Sequence, residues 1–226
     1  MRILSVVHSP QAKTELFRSA GHDIDEWVFS AHGTPPHETY DAFMVFGGAM
    51  HADQDDAHPW LAAEVEWLRG IVDSGAPVLG VCLGAQLLAR AAGGRVWATE
   101  SGPEIGWYDV ERCADDPVLG ALPHRFEAFE WHYYTYEVPA GAVELARNDN
   151  CTQAFRLGDA CWAVQFHPEV THEQVLGWID DPEDPAPDPE ALRAETAEKI
   201  GRWNALGLDL CAAFVAAAER ALARAA

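Results

Sequence analysis

Residues 80–84 read Gly-Val-Cys-Leu-Gly, and residues 167–169 read His-Pro-Glu. A cysteine with glycines two positions to either side, where an apolar run gives way to a helical pattern, has the G-x-nucleophile-x-G form of a strand–turn–helix elbow. So sharp a turn leaves no room for side chains at the flanking positions. A thiol at the start of a helix also meets free N–H groups and the positive end of the helix dipole, which favour thiolate. The plainer reading of Cys82 is a buried strand cysteine acting as a small hydrophobe. His167 and Glu169 are separated by one proline, which favours extended backbone and sends their side chains to the same side. Glu169 can then orient the imidazole, and His167 can take a proton from a thiol and return it to a leaving amine. Taken alone, the second stretch also fits a loop histidine making a local hydrogen bond. Together in one α/β chain, the two point to a cysteine nucleophile with a histidine–carboxylate base.

The elements around these residues have the alternation of an α/β fold on a mostly parallel sheet. Residues 2–8 (RILSVVH) and 41–48 (DAFMVFGG) read as strands, the second ending in a glycine pair. Residues 59–75 carry Leu61, Val65, Leu68 and Val72 at helical spacing, with Pro59 near the start and Gly75 past the end. Residues 76–82 form an uninterrupted apolar run, as in a central strand covered on both faces. Residues 83–94 read as a helix closed by glycines. The middle of the chain reads as strands punctuated at Asp149-Asn150 and Gly158-Asp159. Residues 180–190 are acidic and proline-rich, which predicts an extended, solvated connector in preference to a metal site. Residues 191–226 are Ala-rich and helical, with Leu206, Leu210, Phe214 and Ala217 or Ala218 on one stripe.

Composition narrows the function. The chain has 226 residues, 49% of them hydrophobic, enough for one large domain with a full core. A net charge of −21 repels nucleic acid and lacks a basic footprint, so the acidity reads as a solvated surface. The five cysteines are scattered, with no CxxC pair and no metal-ligand spacing, which fits a reduced, cytoplasmic compartment. The N-terminal stretch has too short an apolar run for a secretory signal, and no stretch reaches the ~20 apolar residues of a membrane span.

The segments GVCLGAQLLARAAGG and AVQFHPE, with the glycine loop VFGGAM (45–50), PEIGWYDV (103–110) and EWHYYTYEVPAGA (130–142), resemble the class I glutamine amidotransferases. The resemblance is closest to stand-alone members similar to the amidotransferase domain of GMP synthase, and it covers roughly residues 1–179. It implies a flavodoxin-like α/β domain whose central mixed, largely parallel sheet carries helices on both faces. Residues 180–226 are expected to be a connector and a C-terminal helical extension packed on the same domain. It implies Cys82 as nucleophile, His167 as acid and base, and Glu169 as orienting carboxylate. The backbone N–H groups of Gly48 and Leu83 are the implied oxyanion donors, and Gly47, Gln86, His132 and Tyr133 the implied substrate contacts. Two departures stand out: Ala49 follows the glycine pair where many relatives have proline, and Tyr133-Tyr134 follow Trp131-His132 where several have Gly-Asp.

The expected reaction is hydrolysis of the γ-carboxamide of glutamine through a thioester, with no metal or organic cofactor. No G-x-x-x-x-G-K-[ST] phosphate loop is present, so activating an ammonia acceptor would fall to a partner synthase in trans. The alternatives are a stand-alone γ-glutamyl hydrolase acting on a larger amide, and a regulatory or binding module without turnover. No nucleic-acid or membrane partner is expected.

Overall fold

A computed structural model of the chain describes residues 1–8, 14–36 and 39–225. Among them, nine strands form one sheet in the order β2-β1-β3-β4-β11-β10-β9-β6-β7. β1 (Ile3–Val7), β2 (Ile24–Val28), β3 (Ala42–Val45), β4 (Val78–Val81) and β11 (Cys161–Val164) pair in parallel. β10 (Thr152–Leu157), β9 (Ala142–Arg147), β6 (Glu104–Arg112) and β7 (Arg125–His132) continue the sheet antiparallel. β5 (Val96–Ala98) and β8 (Tyr134–Tyr136) make a separate two-stranded ribbon.

The parallel strands are apolar on both faces, and alternate residues enter two separate cores. Ala42 and Met44 of β3 point into one, Phe43 and Val45 into the other; Trp162 and Val164 of β11 face opposite to Cys161 and Ala163. α3 (Trp60–Ser74) and α4 (Leu83–Ala91) cover one face. The other is covered by α1 (Glu15–Ser19), α5 (His172–Ile179) and α6 (Pro189–Ala225), while the short α2 (Phe29–His32) lies beside β2 and α3.

The local signals act as expected at several ends. Gly75 closes α3 in the left-handed region (φ 71°). Thr171 caps α5 in a reciprocal capping box with Gln174. α6 opens on Pro189 and runs 37 residues, about 55 Å at 1.5 Å per residue. Leu192, Ile200, Trp203, Leu210, Phe214 and Ala218 on it are buried, so the apolar stripe is covered by the sheet. Most of the acidic connector before it is exposed, apart from Asp184 and Ala186. No described helix is long and apolar enough to cross a membrane.

Candidate active site

β1, β3, β4 and β11 are neighbours, and the chain leaving their C-terminal ends supplies His8, Gly47-Gly48, Cys82 and His167 in turn. Pockets of open α/β sheets form at this edge.

Cys82 joins β4 to α4 with φ 53° and ψ −109°, and it alone among the described non-glycine residues has positive φ. Such a backbone costs about 1–3 kcal/mol and persists only where its surroundings enforce it. Here they do. The Cys82 N–H donates to Val164 O at 2.9 Å, and Gln86 N–H donates back to Cys82 O at 3.1 Å as the first bond of the helix. The flanking glycines are sterically required. A Cβ on Gly80 would lie 2.6 Å from Gly84 O, and one on Gly84 would lie 2.0 Å from Val45 O. Gly84→Ala is therefore expected to destabilise the fold despite the gain of up to ~1 kcal/mol that alanine brings to a helix interior. The obstacle is sheet backbone, so overpacking of about 1–3 kcal/mol or more wins. Urea unfolding checks this, and an unchanged or raised midpoint would refute it.

His167 Nδ1 lies 2.8 Å from Glu169 Oε1, both side chains about 95% buried. Burial pushes the imidazole's pKa down. The charges of Glu169 and Cys82 and hydrogen bonds to both push it up more, so it stands well above its usual value. His167 Nε2 makes no other hydrogen bond, leaving it free to work with the thiol. The edge of the ring packs on Trp178 of α5, centroids 4.9 Å apart.

The backbone of the His-Pro-Glu segment is held by α6. Trp203 Nε1–H donates to His167 O at 2.8 Å, and Asn204 Nδ2–H donates to Val170 O at 2.6 Å. Gly207 passes so close that a Cβ there would meet Pro168 O at 2.0 Å. The helix expected to lie outside the resemblance thus props the segment that carries the base. Sequence reasoning missed Trp203, Asn204 and Gly207; a glycine and two polar-edged residues on the buried stripe were the available signal.

The glycine loop lies against the cysteine. A Cβ on Gly47 would sit 3.0 Å from His167 Cε1 and 3.7 Å from Cys82 Cβ, so Gly47 faces the thiol and the imidazole. Leu83, the first residue of α4, has no acceptor one turn behind it within the helix, leaving its N–H available beside the thiol. The thiol itself lies 3.7 Å from Trp131 O.

The other expected substrate contacts are placed differently. Gln86 is buried, and its amide donates to Tyr134 O at 2.9 Å and to Gln165 Oε1 at 3.2 Å. His132 is buried too, with Nε2 2.9 Å from Glu104 and Nδ1 3.0 Å from Tyr134 O. Burial opposes charge on His132, but Glu104 and Glu130 outweigh it and raise its pKa to about 10. Their polar groups therefore serve the wall behind the cysteine. Tyr133 turns outward, its hydroxyl donating to Asp184 of the connector at 2.5 Å, and Trp131 Nε1–H donates to the same carboxylate at 2.7 Å. The connector is tied to the active-site segment through Asp184, a link not expected from its composition. Glu104, His132 and Cys151 lie close enough to share a metal ion, but Asn148, Asn150, Gln153 and His132 already hydrogen-bond Glu104.

A doubly wound sheet with a strained cysteine elbow facing a histidine–carboxylate pair defines a protein of the cysteine-amidase kind. A profile of the family "Glutamine amidotransferase class-I" matches residues 11–175, and the chain belongs to that family. It is 44% identical over 152 residues to the glutamine-hydrolyzing GMP synthase of Thermomicrobium roseum, spanning 67% of this chain and 26% of the relative. It is 35% identical over 182 residues to a subunit of the glutamine-hydrolyzing GMP synthase of Haloarcula marismortui, covering 77% of this chain and 89% of that one. It is 30% identical over 161 residues to a γ-glutamyl-L-1-hydroxyisopropylamide hydrolase of Pseudomonas, covering 65% and 52%. The crystal structure of a glutamine amidotransferase from Thermotoga maritima superposes with a TM-score of 0.86 at 28% identity, over 95% of this chain and 98% of that one. The chain spans about a quarter of the length of the full GMP synthase it matches.

Proposed function

We propose that the protein hydrolyses the γ-carboxamide of glutamine with Cys82 as nucleophile, His167 as acid and base and Glu169 as orienting carboxylate. The observation that carries this reading is the strained Cys82 elbow at the start of α4, set against the 2.8 Å His167–Glu169 pair. The thiolate attacks the carboxamide carbon, forming a C–S bond and placing negative charge on the oxygen. The N–H groups of Gly48 and Leu83 receive that charge, which exists only in and around the transition state. His167 gives its proton to the nitrogen, the C–N bond breaks, and ammonia leaves. His167 then takes a proton from water, the hydroxide attacks the thioester, and glutamate departs as the thiolate is restored.

A partner synthase is the proposed consumer of the ammonia, since the sequence carries no phosphate loop of its own. The likeness to the separate GMP synthase subunit of Haloarcula marismortui supports this assignment.

A second reading is a γ-glutamyl hydrolase acting on a larger amide. Its support is the likeness to the Pseudomonas hydrolase and the aromatic groups near the thiol: Trp131, Trp178, and the Tyr134 ring stacked on His51 at 4.3 Å. A pocket that touches the leaving amine gains from its size in the transition state; one shaped for ammonia does not. Released amine and glutamate, measured for glutamine and a panel of γ-glutamyl amides, separate the two. Glutamine is expected to have the highest kcat/KM, with a basal rate that rises when the synthase binds. A tenfold preference for a bulky amide, about 1.4 kcal/mol of discrimination, overturns the ammonia-donor reading. No turnover of any donor, with or without partner, would leave a binding or regulatory module.

A further inference from the structure

A second histidine–carboxylate pair lies at the same sheet edge, outside the triad. His8, just past β1, and Glu64, on the buried stripe of α3, have fully buried side chains. His8 Nε2 lies 3.0 Å from each oxygen of Glu64, and its Nδ1 lies 3.2 Å from Gly47 O. The ring also stacks on Trp60, centroids 5.5 Å apart. Removing two ionisable groups from water is costly, and a well-packed apolar pair would stabilise the fold as well or better. Stability alone does not account for them.

We infer that His8 and Glu64 form a buried clamp that positions the Gly47–Gly48 peptide as an oxyanion donor, an inference that rests on the amidase reading above. In a trans peptide the C=O and the following N–H point in opposite directions. Tying Gly47 O to His8 therefore turns the Gly48 N–H away from His8, toward the side where Gly47 faces Cys82 and His167. Glycine loops rotate readily, and a 47–48 peptide free to flip would present a carbonyl where a donor is needed. The clamp opposes that flip twice. The hydrogen bond holds the carbonyl, and the space is closed: a Cβ on Gly48 would lie 2.7 Å from His8 Cβ and 3.1 Å from Leu83 Cδ2.

Glu64 has a defined part. Both acceptors facing the ring, a carbonyl and a carboxylate, require both nitrogens to carry protons, so the imidazole is held as imidazolium. Burial opposes that charge and Glu64 outweighs it, leaving the pKa of His8 raised. His8 and Glu64 touch no reacting atom; they are positioning residues.

The test compares two double variants that differ only in the donor to Gly47 O. His8→Phe/Glu64→Leu keeps the stacking on Trp60 and leaves no unpaired buried charge. His8→Asn/Glu64→Leu puts an amide N–H near the place of Nδ1. Loss of one oxyanion donor costs about 10²–10³ in kcat. The Phe/Leu variant is expected to lose about 10² in kcat with KM changed less than threefold and with Cys82 alkylated by iodoacetamide at the wild-type rate, since alkylation forms no oxyanion. The Asn/Leu variant is expected to recover at least tenfold of that loss. Glu64→Gln, which keeps shape and an acceptor but allows the ring only one proton, is expected to lower kcat at constant KM and serves if the double variants do not fold. Unchanged kcat in the folded variants overturns the clamp. So does an equal fall in Phe/Leu and Asn/Leu, or a parallel loss of turnover, KM and alkylation. A wild-type protein inert toward every γ-glutamyl donor overturns the amidase reading itself, whereas an active wild type with unaffected variants overturns this inference alone.

Discussion

Cys82→Ala is expected to reduce glutamine hydrolysis by about 10⁶ in kcat, the scale for deleting a covalent nucleophile from a triad, while leaving the fold nearly intact. The replacement is smaller and is already buried, and it meets the same φ 53° backbone that the cysteine bears. A glutamine-analogue electrophile is expected to modify Cys82 before the other four cysteines. Those four are held as thiols. Burial pushes Cys161 and Cys211 up to about 12, burial and the charge of Glu104 raise Cys151, and burial with the charge of Glu144 raises Cys113. Wild-type turnover in the alanine variant would sink the assignment, and so would peptide mapping that found Cys151 or Cys161 labelled first.

Glu169→Gln and His167→Ala are expected to differ in kind. Replacing the orienting carboxylate of a triad by its amide costs about 10⁴ in kcat because the histidine loses its correct tautomer. Glu169→Gln should therefore turn over slowly yet keep a thiol that the electrophile labels, since His167 still stands beside it. His167→Ala removes the group whose raised pKa supports the thiolate–imidazolium pair, so labelling and turnover should fall together. The check is the alkylation rate set against kcat for each variant. Equal loss of labelling in both would contradict the division of roles.

Much of this site was legible in the chain because its parts are local. Gly80 and Gly84 announce the elbow by their offset from Cys82 alone; the structure adds only that the atoms they avoid are Gly84 O and Val45 O. His167 and Glu169 share one side of an extended segment whatever surrounds them, and two residues of backbone place them 2.8 Å apart. The apolar run of β4 predicts a strand covered on both faces, and two cores flank it. Here the sequence suffices because the constraint spans a handful of residues.

What only the tertiary structure decided is which distant segments meet. β11 lies beside β4 although some eighty residues separate them, and that pairing alone brings the imidazole to the thiol. No periodicity encodes strand order, because every central strand presents the same apolar alternation to both faces. The same limit hid the support of His167 by Trp203 and Gly207, which arises from the course of α6 across the sheet. It also explains Gln86 and His132, whose side-chain types suit a substrate but whose partners, Tyr134 O and Glu104, lie within the wall. Glu64 was the most visible of the hidden signals, a carboxylate at a stripe position between Leu61 and Leu68. Its meaning required His8, 56 residues earlier, because a buried charge is explained only by the partner that shares its burial.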